Sequence, residues 1–190
     1  MEHLWPIVAG RWQPFHNGHL WLAKRLIDEY GQLILSVVNP DPSNPPDGQY
    51  DRFWPTANPF SYWDRHYMIN RVLAREGLID VVRIVPAWHP RVRMDCEYHC
   101  LPPRAQRVWI VPLTSDEEEK KAQDFRDHDE DVVVLADIPQ DILKYSAVRI
   151  RQLILSGSDQ WQNQVPDAIL DIAQQIQFEE KIRAAYELRR

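Results

Sequence analysis

The chain has 190 residues, of which 44% are hydrophobic, and its 22 basic and 28 acidic residues give a formal net charge of −6. This size and apolar content predict one globular domain, residues 1–190, with its own core. The negative charge opposes the attraction on which nonspecific nucleic-acid binding depends. The sequence has no membrane span and no signal-peptide pattern, and two cysteines four residues apart make a poor disulfide framework. We therefore expect a soluble cytoplasmic protein without a membrane or nucleic-acid partner.

Short apolar runs alternate with helical periodicity along the chain. The runs predict strands at residues 4–9, 33–38, 81–86, 108–111 and 132–136, and the periodic segments predict helices at residues 20–30, 62–75, 115–125, 146–155 and 168–188. Residues 39–59 are rich in Pro, Asn, Asp and Gly, which predicts a long loop, and a helical part begins at residue 146. This alternation predicts an α/β fold: a Rossmann-like, doubly wound parallel sheet with helices on both faces.

Ligands of such sheets bind where the first strand passes to its helix, which directs attention to the segment 10–19, GRWQPFHNGH. Gly10 and Gly18 allow the backbone to approach a ligand closely. His19 falls in the first helical turn, beside free N–H groups, and His16 can lie near the same anion. Two imidazoles at a helix N-terminus suit stabilisation of charge on a phosphoryl group. The alternatives are an ordinary turn histidine with a cap neighbour, or a zinc pair that lacks a third ligand nearby.

This segment closely resembles the signature of archaeal-type nicotinamide mononucleotide adenylyltransferases, members of the superfamily of nucleotidyltransferases with an HxGH motif. Two further segments are similar to elements of that family. They are NPFS at residues 58–61, followed by Asp64 and Arg65, and YSAVRIR at residues 145–151. The three motifs occur in the family's order and cover both ends of the chain.

The resemblance implies transfer of a nucleotide from ATP, or another nucleoside triphosphate, to nicotinamide mononucleotide or a related small phosphorylated acceptor, with release of pyrophosphate. It assigns catalysis to His16, His19, Arg11 and Arg151. It assigns nucleotide binding to Gly10, Arg11, Gln13, Phe15, His16, Gly18, His19, Tyr145, Ser146 and Arg151, and acceptor binding to Asn58, Phe60, Arg65 and Arg93. Mg²⁺ would arrive on the phosphates, with no protein-built metal site. Only the resemblance suggests a homo-oligomer.

Three positions depart from the family pattern. Val148 stands in place of a threonine and Ala147 in place of a glycine, while Arg93 falls where the family has a tryptophan that stacks on the nicotinamide ring. An arginine there predicts a preference for an acceptor with more negative charge, unless Trp88 or Trp109 stacks instead. A cytidylyl- or adenylyltransferase acting on another phosphate or phosphonate acceptor is therefore the alternative.

Other interpretations compete with the transferase. The cluster His89, Cys96, His99 and Cys100 has zinc-ligand types, although adjacent His99 and Cys100 would point in different directions. The acidic run 127–131 is interpreted as a solvated loop. A fragment of a class I aminoacyl-tRNA synthetase would be longer and less acidic. A nucleotide-binding regulator without catalysis is the alternative from another class of protein. The presence of both histidines and of the Ser146 and Arg151 pair argues against it.

Overall fold

The computed structural model describes residues 4–39, 54–87 and 100–188. Within these residues, five parallel strands form one sheet in the spatial order β3-β2-β1-β4-β5. The strands are β1 (Trp5–Gly10), β2 (Leu33–Val38), β3 (Val82–Ala87), β4 (Arg107–Pro112) and β5 (Val132–Leu135). The predicted parallel α/β fold is therefore confirmed.

Seven helices connect and follow the strands in the part of the chain that the structure describes. They are α1 (Asn17–Tyr30), α2 (Tyr62–Arg75), α3 (Asp116–Arg126), α4 (Gln140–Leu143), α5 (Ala147–Leu155), α6 (Asp167–Leu170) and α7 (Phe178–Glu187). Ser61 begins α2 as its N-cap, because its hydroxyl accepts from the Asp64 N–H and the Asp64 carboxylate accepts from the Ser61 N–H. None of these helices has the length and apolarity that crossing a bilayer requires.

The C-terminal helix predicted over residues 168–188 is broken, and that prediction was wrong. Two helices, α6 and α7, flank a turn in which Gln177 adopts a left-handed φ of 53°. The break places Phe178 in the core, where its ring lies 5.0 Å from both the Phe60 and the Trp161 rings. Burial of this aromatic cluster outweighs the local helical pattern.

Two apolar cores cover the two faces of the sheet. Side chains alternate along β1, so that Val8 joins one core while Ile7 and Ala9 join the other. The first core takes buried residues from α1, α2, α5 and α7. The second takes Ala122 and Phe125 from α3, and the Phe125 ring stacks on Trp109 with centroids 4.1 Å apart. Helix α3 therefore lies on the opposite face of the sheet from α1.

The acidic run 127–131 is not wholly solvated, because Glu130 is buried. Its carboxylate accepts from Arg107 Nε at 2.9 Å and from Trp109 Nε1 at 2.9 Å, and it also pairs with the second terminal nitrogen of Arg107. These bonds lower the pKa of Glu130 despite the opposing effect of burial, which is the largest single influence. The Arg107 and Glu130 pair joins the start of β4 to the turn that precedes β5. It therefore fixes β4, the strand that α3 follows in the chain.

Replacing Glu130 by alanine should lower the free energy of unfolding by about 3–5 kcal/mol, because it leaves the Arg107 guanidinium buried without its anion. Urea unfolding at pH 7 measures the change. Asp131→Ala removes the neighbouring exposed carboxylate and should alter stability by less than about 0.5 kcal/mol. Equal losses in the two variants would contradict the role assigned to the buried pair.

Candidate active site

A cavity of about 530 Å³ opens at the carboxyl ends of β1 and β4. The strand order reverses at this point, since β2 and β3 lie on one side of β1 while β4 and β5 lie on the other. Open parallel sheets bind their ligands at such a reversal. The lining comes from the loop after β1, the first turns of α1 and α5, and helices α3 and α4.

The loop between β1 and α1 is held against the sheet by Trp12. Its Nε1 donates to the Ser36 carbonyl at 3.1 Å, and its ring packs beside Phe15 and His19. A Cβ on Gly10 would lie 2.8 Å from the Trp12 indole ring. Gly10 is therefore required by the packing of Trp12 as well as lining the cavity.

Gln13 joins this loop to the segment that begins α2. Its Nε2 donates to the Phe60 carbonyl at 2.9 Å, while its Oε1 accepts from the Phe60 N–H at 3.0 Å. The amide nitrogen and oxygen of this buried side chain are therefore both hydrogen-bonded to the backbone of Phe60. The structure therefore gives the Gln13 side chain a positioning role in a residue that also belongs to the cavity lining.

Arg65 is fully buried and is bound to backbone carbonyl groups, in place of the acceptor contact that the sequence suggested. It donates to Val38 at 2.6 Å, Asn39 at 2.7 Å, Arg11 at 3.0 Å and Ser61 at 3.2 Å. Burial lowers its pKa to about 10, so the guanidinium stays charged at neutral pH. Arg65 therefore joins the carboxyl end of β2 to the loop after β1.

His16 and His19 stack at the entrance to α1, with ring centroids 3.5 Å apart and planes 19° apart. The Nδ1 atom of His19 accepts from the His16 backbone N–H at 3.2 Å. Neutral imidazole carries one proton, so this bond leaves the proton of His19 on Nε2 as a donor. The buried Nδ1 of His16 has no partner among the described residues.

Burial keeps both imidazoles neutral in the free protein. Desolvation lowers the pKa of His16 to about 3. Desolvation, followed by the nearby His16, lowers the pKa of His19 well below its ordinary value. Neutral imidazole rings donate hydrogen bonds but are poor acids at neutral pH. The two histidines are therefore better suited to stabilising negative charge that develops on a phosphate group than to transferring a proton.

Two helix N-termini and three cations face the same cavity. The first turns of α1 and α5 line it, and neither contains an acidic residue. The cations are Arg11, Lys121 and Arg151, and among the described lining residues Glu118 carries the only carboxylate. Arg151 is buried and donates to the Gln13 carbonyl at 2.6 Å, while its Nε has no partner in the described part of the chain. This positive concavity is suited to polyphosphate.

The structure brings most of the predicted nucleotide-binding residues together. The cavity is lined by Gly10, Arg11, Gln13, His16, Gly18, His19, Tyr145, Ser146 and Arg151. Ser146 is the N-cap of α5, although its hydroxyl makes no capping bond.

Other predicted site residues lie elsewhere. Phe15 and Phe60 are fully buried in the core and do not belong to the described lining of the cavity. Asn58 is buried and donates to the Trp54 carbonyl at 3.1 Å. Arg93 lies outside the described residues.

The zinc interpretation lies almost wholly outside the described residues. Of its members, only Cys100 is described, and its thiol is exposed and free. Within residues 4–39, 54–87 and 100–188, no three side chains of metal-binding type converge.

The sequence interpretation missed the contributions of α3 and α4. Lys121 and Glu118 reach the cavity from α3, and an apolar wall is formed by Trp21, Leu22, Ile138, Ile142, Leu143 and Val148. The available signal was topological, because the helix after β4 must begin beside β1 once these strands are neighbours. Single-residue patterns could not supply that adjacency.

The model of the cytidylyltransferase-like family matches residues 7–186 of the chain. The chain belongs to the cytidylyltransferase-like family. This nucleotidyltransferase is 26% identical over 184 residues to the nicotinamide-nucleotide adenylyltransferase of Thermoplasma acidophilum, covering 93% of this chain and 88% of the relative. It is 27% identical over 184 residues to the phosphonoformate cytidylyltransferase of Streptomyces viridochromogenes, covering 94% and 95%.

Solved structures show the same fold. A bifunctional NMN adenylyltransferase/ADP ribose pyrophosphatase from Francisella tularensis superposes on the nucleotidyltransferase with a TM-score of 0.65 at 19% identity, covering 96% of this chain and 53% of that one. The chain thus spans about half the length of the bifunctional protein. A nicotinic acid mononucleotide adenylyltransferase from Plasmodium falciparum gives a TM-score of 0.59 at 9% identity, covering 94% and 98%.

Burial of His16 makes the stability of the nucleotidyltransferase sensitive to acid. An unfolded histidine binds its proton near pH 6.5, whereas folded His16 does so near pH 3. The stabilisation is complete above about pH 6.5 and is lost as the pH falls towards 3, at about 1.4 kcal/mol per pH unit. His16→Gln should therefore show a shallower fall in the free energy of unfolding between about pH 6 and pH 5.

Urea unfolding across this range measures the slope. The matched control is His128→Gln, which removes an exposed histidine. The explanation fails if His16→Gln and the wild type lose stability with the same slope.

Proposed function

We propose that this nucleotidyltransferase transfers the adenylyl group of ATP to nicotinamide mononucleotide and releases pyrophosphate. Several relatives named nicotinamide-nucleotide adenylyltransferase match more than nine-tenths of the chain, at 26–28% identity. The observation that carries the proposal is the convergence of two stacked neutral histidines, two helix N-termini and Arg151 on one cavity. Each of these groups offers hydrogen-bond donors to phosphate oxygens.

The reaction needs no covalent intermediate with the protein. A phosphate oxygen of the acceptor attacks the α-phosphorus of the triphosphate, a new P–O bond forms, and the bond to the β-phosphate breaks as pyrophosphate leaves. His19 Nε2–H and the Arg151 guanidinium would bind the oxygens on which negative charge accumulates. Catalysis is then positioning and electrostatic stabilisation.

Magnesium enters this scheme as part of the substrate. Triphosphate in water carries Mg²⁺ on its own oxygens, and Mg²⁺ keeps several waters when it binds at such sites. Glu118 is the one carboxylate described in the cavity lining, which agrees with a cation carried in by the nucleotide. We also propose a cytoplasmic location and leave a homo-oligomer as an expectation from the family resemblance.

A second candidate is cytidylyl transfer from CTP to a phosphonate acceptor. The phosphonoformate cytidylyltransferase of Streptomyces viridochromogenes matches the chain over 94% of its length. Val148, which departs from the adenylyltransferase motif, lines the apolar part of the cavity. Both candidates share the phosphate chemistry and differ in the base and in the acceptor.

Product analysis separates the two candidates. The purified protein is incubated with each of ATP, CTP, GTP and UTP and with nicotinamide mononucleotide, its nicotinic acid counterpart or phosphonoformate, and pyrophosphate and the coupled product are quantified. Dinucleotide from ATP and nicotinamide mononucleotide is the expected result. Product only from CTP and phosphonoformate would establish the second candidate, and no pyrophosphate with any pair would refute nucleotidyl transfer to these acceptors.

His19→Ala should lower kcat by about 10²-fold or more while the protein stays folded, because it removes a fixed donor to the transition state. Circular dichroism checks the fold, and steady-state rates with ATP and the best acceptor give kcat. His128→Ala, a substitution of an exposed histidine outside the cavity, should leave the rate unchanged. Normal turnover by folded His19→Ala would show that the α1 entrance does not carry the chemistry.

A further inference from the structure

Lys121 is a cation of the cavity lining to which the proposed reaction scheme assigns no individual role. Its side chain extends from α3 and is only 10% exposed. The Nζ atom donates to the Ala9 carbonyl at 3.0 Å, beside the loop that carries the histidines, and to the Glu118 carboxylate at 2.8 Å. Both Lys121 and Glu118 line the cavity. A nearly buried lysine therefore stands at the end of β1, where the ligand site begins.

Lys121 reaches the cavity from the face of the sheet opposite to the groups that receive the triphosphate. His16 is the N-cap of α1, His19 lies in its first turn and Arg151 lies in α5. Helices α1 and α5 pack on one face of the sheet, whereas α3 packs on the other. A triphosphate bound by α1 and α5 leaves the α3 side of the cavity for the second substrate. Lys121 and Glu118 are the two ionisable side chains that α3 contributes to the described lining of the cavity.

Nucleotidyl transfer brings two anions together, which creates a need for a cation on the acceptor side. The attacking oxygen belongs to a phosphate or phosphonate group, and like charges repel strongly where water is excluded. An ammonium group has three N–H donors. Within the described residues, Lys121 uses two of them in its bonds to the Ala9 carbonyl and the Glu118 carboxylate. One donor remains for a ligand oxygen, and the Glu118 carboxylate competes for the same charge.

We propose that Lys121 binds the phosphate or phosphonate group of the acceptor, and that Glu118 holds the ammonium in place in the free protein and opposes acceptor binding. This assignment rests on the proposed nucleotidyl transfer. When the acceptor binds, its anionic group replaces the Glu118 carboxylate in part as the partner of the Lys121 ammonium. The bond to the Ala9 carbonyl keeps the ammonium in position. Lys121 then sets the affinity for the acceptor and does not set that for the triphosphate.

The test compares two variants that break the same ion pair. Lys121→Met should raise the KM of the acceptor by about tenfold to a hundredfold, since it removes a charge-assisted hydrogen bond. Glu118→Gln should lower that KM by about threefold or more, because it removes a competing and repelling carboxylate. A merely structural ion pair would move both variants in the same direction. Lys120→Met is the matched control, because Lys120 is adjacent on α3, 64% exposed and outside the cavity lining.

The measurements are KM and kcat for nicotinamide mononucleotide or phosphonoformate, whichever the wild type uses better, at saturating triphosphate. Quenching of tryptophan fluorescence by a nonhydrolysable triphosphate analogue gives nucleotide affinity alone, which should be unchanged in Lys121→Met. Melting temperatures by circular dichroism establish that each variant is folded. If Lys121→Met does not fold, the direction of the Glu118→Gln change still decides the question.

Three outcomes overturn the assignment. They are an unchanged acceptor KM in folded Lys121→Met, a loss of triphosphate affinity in place of acceptor affinity, and a rise in acceptor KM in Glu118→Gln. In each case the wild type still forms product, so the proposed function survives. A wild type that forms no product with any acceptor refutes the proposed function instead, and is recognised before any variant is compared.

Discussion

The buried guanidinium of Arg65 is the contact on which the geometry of the cavity depends. It binds carbonyl groups of Val38 and Asn39 at the end of β2 and of Arg11 in the loop after β1. Asn39 and Arg11 follow the last residues of β2 and β1, so leaving their carbonyl groups without a donor would cost free energy. One planar cation with five donors binds these three carbonyl groups and that of Ser61 together, whereas a lysine has only three donors. The loop that carries the histidines is thereby fixed to the sheet before any ligand arrives.

Further long-range bonds build on this arrangement. Gln13 pairs with the backbone of Phe60, and Arg151 binds the Gln13 carbonyl from the far end of the chain. The loop is therefore tied to α2 and α5, so His16 and His19 keep their stacked positions at the start of α1. The cost is that two imidazoles are desolvated and kept neutral. Such a cost is typical of sites in which donors are preorganised for an anion.

The charge and polarity of the lining differ from one part of the cavity to another, and the fold alone does not specify this difference. Donors from α1 and α5 occupy one side, the Lys121 and Glu118 pair the other, and apolar residues of α4 close the wall. Relatives named adenylyltransferase and cytidylyltransferase both match nearly the whole chain. Because the fold is common to them, the choice of base and acceptor must lie in side chains such as these.

The sequence by itself determined the order of the strands and the loop that lines the cavity, because periodicity and the GRWQPFHNGH segment are local properties. Only the tertiary structure decided which motif residues face the cavity. Phe15, Phe60 and Arg65 belong to motifs yet are buried, because neighbours distant in sequence fill or bond to them. The contribution of Lys121 and the break before Phe178 also depend on packing between elements, and a pattern read along one chain contains no information on such contacts.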